Sequence, residues 1–147
     1  MTKNTSTIAA SLQRDEKMRA IADEKFVEQQ RLKRANGNGL WLELREAIVT
    51  ECNDLNREMG KTITRIDETA SHTLKVRTIL EGRPRILVLV YEKEGLYVDW
   101  SCEQRGAHWH IATVGDGSLT FARGQMMEPI RTDEVAGIMM RILFNLE

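Results

Sequence analysis

Apolar residues recur at steps of three and four over residues 40–59, the spacing of one face of an α-helix. The recurring positions are Trp41, Leu44, Ile48, Cys52, Leu55 and Met59. Asn38 stands where a residue can cap the start of this helix, and Gly60 stands where a left-handed residue can end it. The pattern therefore predicts a helix over 40–59 with one buried face.

A second helical stripe covers residues 132–146. Thr132 can cap its start, and the two acidic residues that follow lie in the positive first turn. The apolar positions of the stripe are Val135, Ile138, Met139, Ile142, Leu143 and Leu146. Met140 and Phe144 lie off this stripe, so we expect the helix to bury a second side, for which a subunit contact is one candidate.

Between the two helices, apolar and polar residues alternate in short runs with short connections, which is typical of antiparallel strands. The predicted strands cover 62–68, 72–80, 85–92, 95–102, 107–114 and 118–124. Residues 85–91 are apolar on both faces, with a continuous apolar run from Ile86 to Tyr91, which predicts an interior strand covered on both sides. The predicted fold is α+β, with N-terminal helices, a six-stranded antiparallel meander sheet and a C-terminal helix packed on one sheet face.

The alternation also predicts a register for the hairpin that contains two tryptophans. A loop over 103–106 pairs Trp100 with Trp109 and puts their apolar neighbours on one face of the sheet. This face carries the larger apolar set. We therefore expect both helices to pack on it.

In the hairpin of strands 107–114 and 118–124, the apolar pattern distinguishes between two loop lengths. A two-residue turn at Asp116 and Gly117 puts Leu119 and Phe121 on the opposite face from Trp109. A three-residue loop over 115–117 returns them to the same face and supplies a glycine for the left-handed position. The sequence therefore predicts the three-residue loop.

The register of the tryptophan hairpin gathers polar residues on the other sheet face. It places Asp99 opposite His110, with His108 two residues away on the same strand. Because opposite residues have Cβ atoms roughly 4.5–5.5 Å apart, two imidazoles and a carboxylate can converge on one ion. This donor set suits zinc or iron, which can activate a bound water for hydrolysis. The competing interpretation is an Asp99–His110 hydrogen bond on a partly exposed face.

Residues 1–38 are predicted to form a helical N-terminal arm, and residues 39–147 a single α+β domain. Residues 6–35 are rich in good helix formers, but their apolar stripe is thin. Its members are Ile8, Leu12, Met18, Ile21 or Ala22, Phe26 and Leu32. The segment 36–39 predicts a break after this helix. A helix this polar gains little from packing on its own core, so the alternatives are a projecting arm, a partner-binding helix, a frayed tail, or a solvated helix lying loosely on its own domain.

Composition narrows the function classes. The chain of 147 residues is 41% hydrophobic and 29% charged with a net charge of −1. These values are expected for one globular domain. The near-zero charge argues against a nucleic-acid partner, and no apolar run approaches the roughly 18 residues of a membrane span. Cys52 and Cys102 are expected as two buried thiols, and the absence of an apolar leader segment predicts a cytoplasmic location.

The sequence contains no specific catalytic motif, such as a phosphate-binding loop or a nucleophile elbow. The basic residues Arg83 and Arg85 have acids nearby and predict a solvated charged face. We therefore expect a non-enzymatic cytoplasmic protein, without a cofactor, that forms a homo-oligomer or binds a protein partner. The alternative is a small metal-dependent enzyme with zinc or iron at His108, His110 and Asp99.

Overall fold

A computed structural model describes residues 2–80 and 82–146, with only the backbone at Glu68. Its elements are α1 (Lys3–Met59), β1 (Thr64–Thr69), β2 (Thr73–Thr78), β3 (Ile86–Glu92), β4 (Tyr97–Cys102), β5 (Arg105–Thr113), β6 (Leu119–Arg123), β7 (Glu128–Ile130) and α2 (Thr132–Leu143). The α+β class is confirmed. The chain divides into two compact units, Met1–Leu32 and Lys33–Glu147. The predicted boundary at residues 38 and 39 stays a prediction.

The strands described in Lys33–Glu147 form one antiparallel sheet of seven strands in the meander order β1 to β7. The predicted number of six is wrong because β7 was missed. This strand has three residues, with Pro129 at its centre, so it is too short to show an alternation of apolar and polar positions. Its pairing with β6, which sets Ile130 opposite Phe121, identifies it as a strand.

The predicted loop over 103–106 is wrong. β4 and β5 are joined by a two-residue connection that begins at Glu103, whose φ of +58° is left-handed. Gly106 lies in β5 instead, where a Cβ would come within 3.1 Å of the Trp100 carbonyl oxygen. Trp100 therefore pairs with Ala107. The register differs from the predicted one by two residues, which keeps every side chain on its predicted face.

The predicted three-residue loop over 115–117 is confirmed. Ile111 pairs with Phe121, as that loop length requires. Gly117 has a φ of +86°, a conformation that glycine adopts without the steric penalty of a Cβ. The side chains of Ile111 and Phe121 consequently share the apolar face.

The core of Lys33–Glu147 lies between the helices and the predicted apolar sheet face. Its members include Trp41, Leu44, Ile48, Val98, Trp100, Trp109, Ile111, Phe121, Val135, Met139 and Leu143. Met140 is also buried, and the Cys52 thiol donates to its Sδ at 3.9 Å. The second side of α2 is thus partly covered by α1 of the same chain. Cys52 and Cys102 are free and buried, as predicted, and burial raises the pKa of both thiols.

The predicted helix break at residues 36–39 is wrong, because α1 continues through it. Gly37 is buried, and a Cβ there would come within 2.6 Å of the Tyr91 hydroxyl oxygen. The ring of Tyr91 also stacks on Trp41 with a centroid distance of 6.1 Å. Glycine costs a helix about 1 kcal/mol relative to alanine, but alanine at this position would overlap the Tyr91 hydroxyl. Gly37 therefore makes room for a tyrosine and does not end the helix.

The ends of α2 also differ from the sequence interpretation. The helix begins at Thr132, so the capping position falls on Arg131, which makes no side-chain capping bond. At the other end, the Arg85 guanidinium donates to the carbonyl oxygens of Leu143 at 2.7 Å and Ile142 at 3.1 Å. Placing Arg85 in a solvated charged face is therefore wrong. Its charge complements the negative end of the helix.

Candidate functional site

The predicted polar site lies on the sheet face opposite the core. β4 carries Tyr97 and Asp99 at alternate positions, and β5 carries His108 and His110 in the same way. The four side chains are half-buried or exposed, whereas the residues between them are buried. Alternation along the two strands thus directs the polar set away from the core.

The Asp99 carboxylate contacts His108 and not His110, the histidine that the sequence predicted. Asp99 lies opposite His108, and His110 lies opposite Tyr97, so the predicted Asp99–His110 pairing is wrong. His108 Nδ1 is 2.9 Å from Asp99 Oδ1, a hydrogen-bonding distance. A proton on Nδ1 completes this bond and leaves Nε2 as the nitrogen that can accept a proton or bind a metal. Asp99 has a different histidine partner because the register of β4 and β5 differs by two residues from the predicted one.

The aromatic rings of this site form a small cluster. The rings of Tyr97 and His108 have centroids 4.5 Å apart and are tilted by 47°. The ring of His110 lies edge-on to His108 at 6.2 Å. His108 is therefore held from two sides, by the Tyr97 ring and by the Asp99 carboxylate.

As a metal centre, this arrangement supplies two imidazoles on one face. Asp99 bonds to Nδ1 of His108, which is how an outer carboxylate orients a ligating histidine. Catalytic zinc sites use three protein ligands. No group of three or more His, Cys, Asp or Glu side chains within residues 2–80 and 82–146 is arranged to hold a metal ion. The three-residue metal site stays a prediction for metal analysis to test.

The unit Met1–Leu32 presents a second candidate surface. Six large apolar side chains in its described residues are 50–65% exposed, namely Ile8, Leu12, Met18, Ile21, Phe26 and Val27. All of them except Val27 belong to the stripe that the sequence predicts. Several large exposed apolar side chains along one segment make it a candidate interaction surface.

Sequence reasoning missed a third surface, a groove of about 490 Å³ between the last turns of α1 and α2. We call it the α1–α2 groove. It is lined by Glu51, Leu55, Glu58, Gly137, Met140 and Phe144, among others. The sequence feature that could have indicated this groove was the pair Met140 and Phe144, which lies off the main apolar stripe of α2. Those two side chains predicted a second apolar side without showing what covers it.

Comparison with protein-family models, with curated proteins and with solved structures found no match. None of the helices in the described part of the chain has the length and apolar character needed to cross a membrane. What can be inferred about function therefore depends on the chemistry of these three surfaces.

Proposed function

We propose that this protein is a non-enzymatic, self-associating protein that binds a second copy of itself through the helix in Met1–Leu32. The observation that carries the proposal is the row of six large apolar side chains along residues 8–27, which lie on several sides of the helix and are each at least half exposed. Removing apolar surface from water contributes about 25 cal/mol per Å². A partner that covers this row would supply that stabilisation.

The charge of this unit suits a protein partner. Residues 1–32 contain six lysine or arginine residues and five aspartate or glutamate residues. A polyanion or an anionic membrane surface selects a clear basic excess, which this segment lacks. The apolar row with balanced charges around it fits another polypeptide better.

The sheet edges argue against self-association by strand pairing. The outer strands are β1 and β7. β1 has exposed charges at Arg65 and Asp67 and an irregular register after Ile66. β7 is three residues long, and its Pro129 has no N–H to donate. Short, charged, irregular or proline-containing edges are features that block strand addition, so association would use another surface, for which the helix in Met1–Leu32 is the candidate.

Sedimentation velocity of the full chain at several concentrations tests the proposal. We expect concentration-dependent association of the parent, and its loss in the double variant Met18→Glu with Ile21→Glu. A matched control adds the same charges at Ser6→Glu and Gln13→Glu, exposed positions seven residues apart on a line of the helix that carries none of the six apolar side chains. The control should associate like the parent. A parent that is monomeric throughout contradicts the proposal, and equal loss in both variants assigns the effect to charge alone.

The alternative function is a metal-dependent enzyme with zinc or iron at His108, His110 and Asp99. The observation in its favour is the Asp99–His108 contact, in which Asp99 orients the imidazole as an outer carboxylate does in metal sites, so that His108 and His110 would be the direct ligands. Metal analysis of the native protein and of His110→Ala separates the alternatives. Stoichiometric metal in the native protein and its loss in the variant support the enzyme, whereas no bound metal in either removes it.

A further inference from the structure

We propose that the α1–α2 groove receives residues 14–25 of a second copy, so that two chains associate by placing a helix of each in the groove of the other. The inference rests on the proposed function and adds to it the surface that the helix binds. Reciprocal placement makes the same contact twice, which closes a symmetric dimer.

The groove has an apolar floor of the kind on which an amphipathic helix can pack. Its walls come from α1 and α2, and Leu55, Met140 and Phe144 line it between them. Leu146, at the groove, is 74% exposed. A helix that lays its apolar side into such a groove is a recurrent mode of peptide recognition.

Gly137 is a second observation that points to a close neighbour. It lies within α2, where alanine stabilises a helix more than glycine does. A Cβ at Gly137 meets no atom of the described residues within 4 Å. Gly37, by contrast, is required by the Tyr91 hydroxyl, 2.6 Å from the position of a Cβ. Contacts within the chain thus account for Gly37 but not for Gly137, whose open side leaves room for a partner helix against α2.

The α1 side of the groove is acidic, whereas Arg141 of α2 lines the opposite side. Glu51 and Glu58 lie seven residues apart on one helical face, with Leu55 between them. Asp54, which also lines the groove, is paired with Arg57 at 3.2 Å. No ion pair engages Glu51 or Glu58 in the part of the chain that the structure describes. An occupant with a base near each end of an apolar patch would complement this rim.

Residues 14–25 have that pattern. Met18 and Ile21 are neighbours on one side of the helix, and by helical spacing Arg14 and Lys25 extend the same line at either end. All four side chains are exposed. The segment therefore matches an apolar floor with an apolar pair, and two acidic rim positions with two bases. This complementarity is the reason for choosing a second copy as the occupant.

A complementation experiment with full-length chains tests the inference. One variant reverses the two rim charges through Glu51→Lys with Glu58→Lys. The other removes the apolar pair through Met18→Glu with Ile21→Glu. Sedimentation should show each variant alone as monomer at concentrations where the parent is dimeric. Their equimolar mixture should form a heterodimer, because one chain supplies an intact helix and the other an intact groove. With one contact in place of two, we expect weaker association than in the parent.

The controls separate loss of binding from loss of folding. Glu46→Lys with Glu94→Lys makes the same charge change at exposed positions outside the groove, and it should dimerise like the parent. Circular dichroism and urea denaturation of every variant should match the parent at low concentration. Adding Arg14→Glu and Lys25→Glu to the groove variant should restore dimers, since it exchanges the charges on both sides.

An uncharged substitution provides an independent readout. Gly137→Leu fills the groove, and its Cβ has open space within its own chain. We expect a folded protein whose dissociation constant rises by about tenfold or more, equivalent to about 1.4 kcal/mol of binding free energy. Unchanged association of Gly137→Leu would contradict the inference.

The outcomes distinguish this inference from the proposed function. If the groove variant dimerises like the parent while the Met18/Ile21 variant is monomeric, the helices bind each other or another surface. In that case self-association holds and the groove inference is wrong. If the parent itself is monomeric, the proposed function fails first.

Discussion

Leucines at helical spacing are buried in one part of α1 and exposed in the other. In the part that belongs to Lys33–Glu147, Leu44 has no exposed surface, whereas Leu12 in Met1–Leu32 is 58% exposed. Both leucines belong to a stripe with helical spacing. The stripe around Leu44 is dense, but the one around Leu12 is interrupted by charged residues such as Asp15 and Arg19. Helical periodicity and burial are therefore separate properties, and only the dense stripe supports a core.

The two parts of α1 differ in what stabilises their helical conformation. An isolated helix in water is marginal, and most helices are stabilised by packing of their apolar face. The residues around Leu44 have that support within the chain. Met1–Leu32 would gain it from a partner, which would stabilise its helix as the protein concentration rises.

Leucine-to-alanine substitution in the two parts of α1 gives the largest expected contrast. We expect Leu44→Ala to lower the free energy of unfolding by about 2–5 kcal/mol, since it opens a cavity in the core. Leu12→Ala should leave it almost unchanged at concentrations where the protein is monomeric. Urea denaturation at low protein concentration measures both. Equal losses would show that Leu12 is buried in the monomer and would remove the contrast.

The next effect concerns the packing of Tyr91 on Gly37. Gly37→Ala should destabilise by about 1–3 kcal/mol, because its methyl group overlaps the Tyr91 hydroxyl. Tyr91→Phe should be close to neutral, since that hydroxyl is buried without a hydrogen-bond partner in the described residues, and burial raises its pKa. The double variant should then be more stable than Gly37→Ala alone. A double-mutant cycle by urea denaturation measures the coupling, and additive effects would contradict the proposed overlap.

The smallest of these contrasts compares two arginines. Arg85→Gln should destabilise by about 1–2 kcal/mol, because it removes charged hydrogen bonds from the last carbonyls of α2. Arg31 instead pairs with Glu28 at 2.6 Å, with side chains 64% and 55% exposed. Because an ion pair this exposed contributes little, Arg31→Gln should cause no resolved change. Thermal denaturation at one low concentration compares them. A larger loss at Arg31 would show that stabilising electrostatic contacts are not confined to Lys33–Glu147.

Several elements followed from local patterns alone. Helical spacing located both buried faces, at residues 41–52 and in α2, and alternation separated the tryptophan face from the histidine face. The loop over 115–117 was predictable because only one loop length returned Phe121 to the apolar side. The site residues Asp99, His108 and His110 were placed on the correct face because side chains alternate between the two faces along each strand.

Other features depended on contacts between distant residues. Alternation has a period of two, so it cannot detect a register difference of two, and the partner of Asp99 was assigned wrongly. Gly37 indicates a helix break until Tyr91 is seen against it, and β7 is recognisable only from its pairing with β6.

Apart from β7 and the course of α1 through residues 36–39, the sequence by itself determined where the helices and strands lie and which side of each is apolar, because these properties depend on neighbours a few positions away. The tertiary structure decided which strand residues face each other, why a glycine lies inside α1, and that α1 and α2 leave a groove between them. Those features depend on how side chains far apart in the chain fit together. A local pattern of polarity contains no measure of that fit.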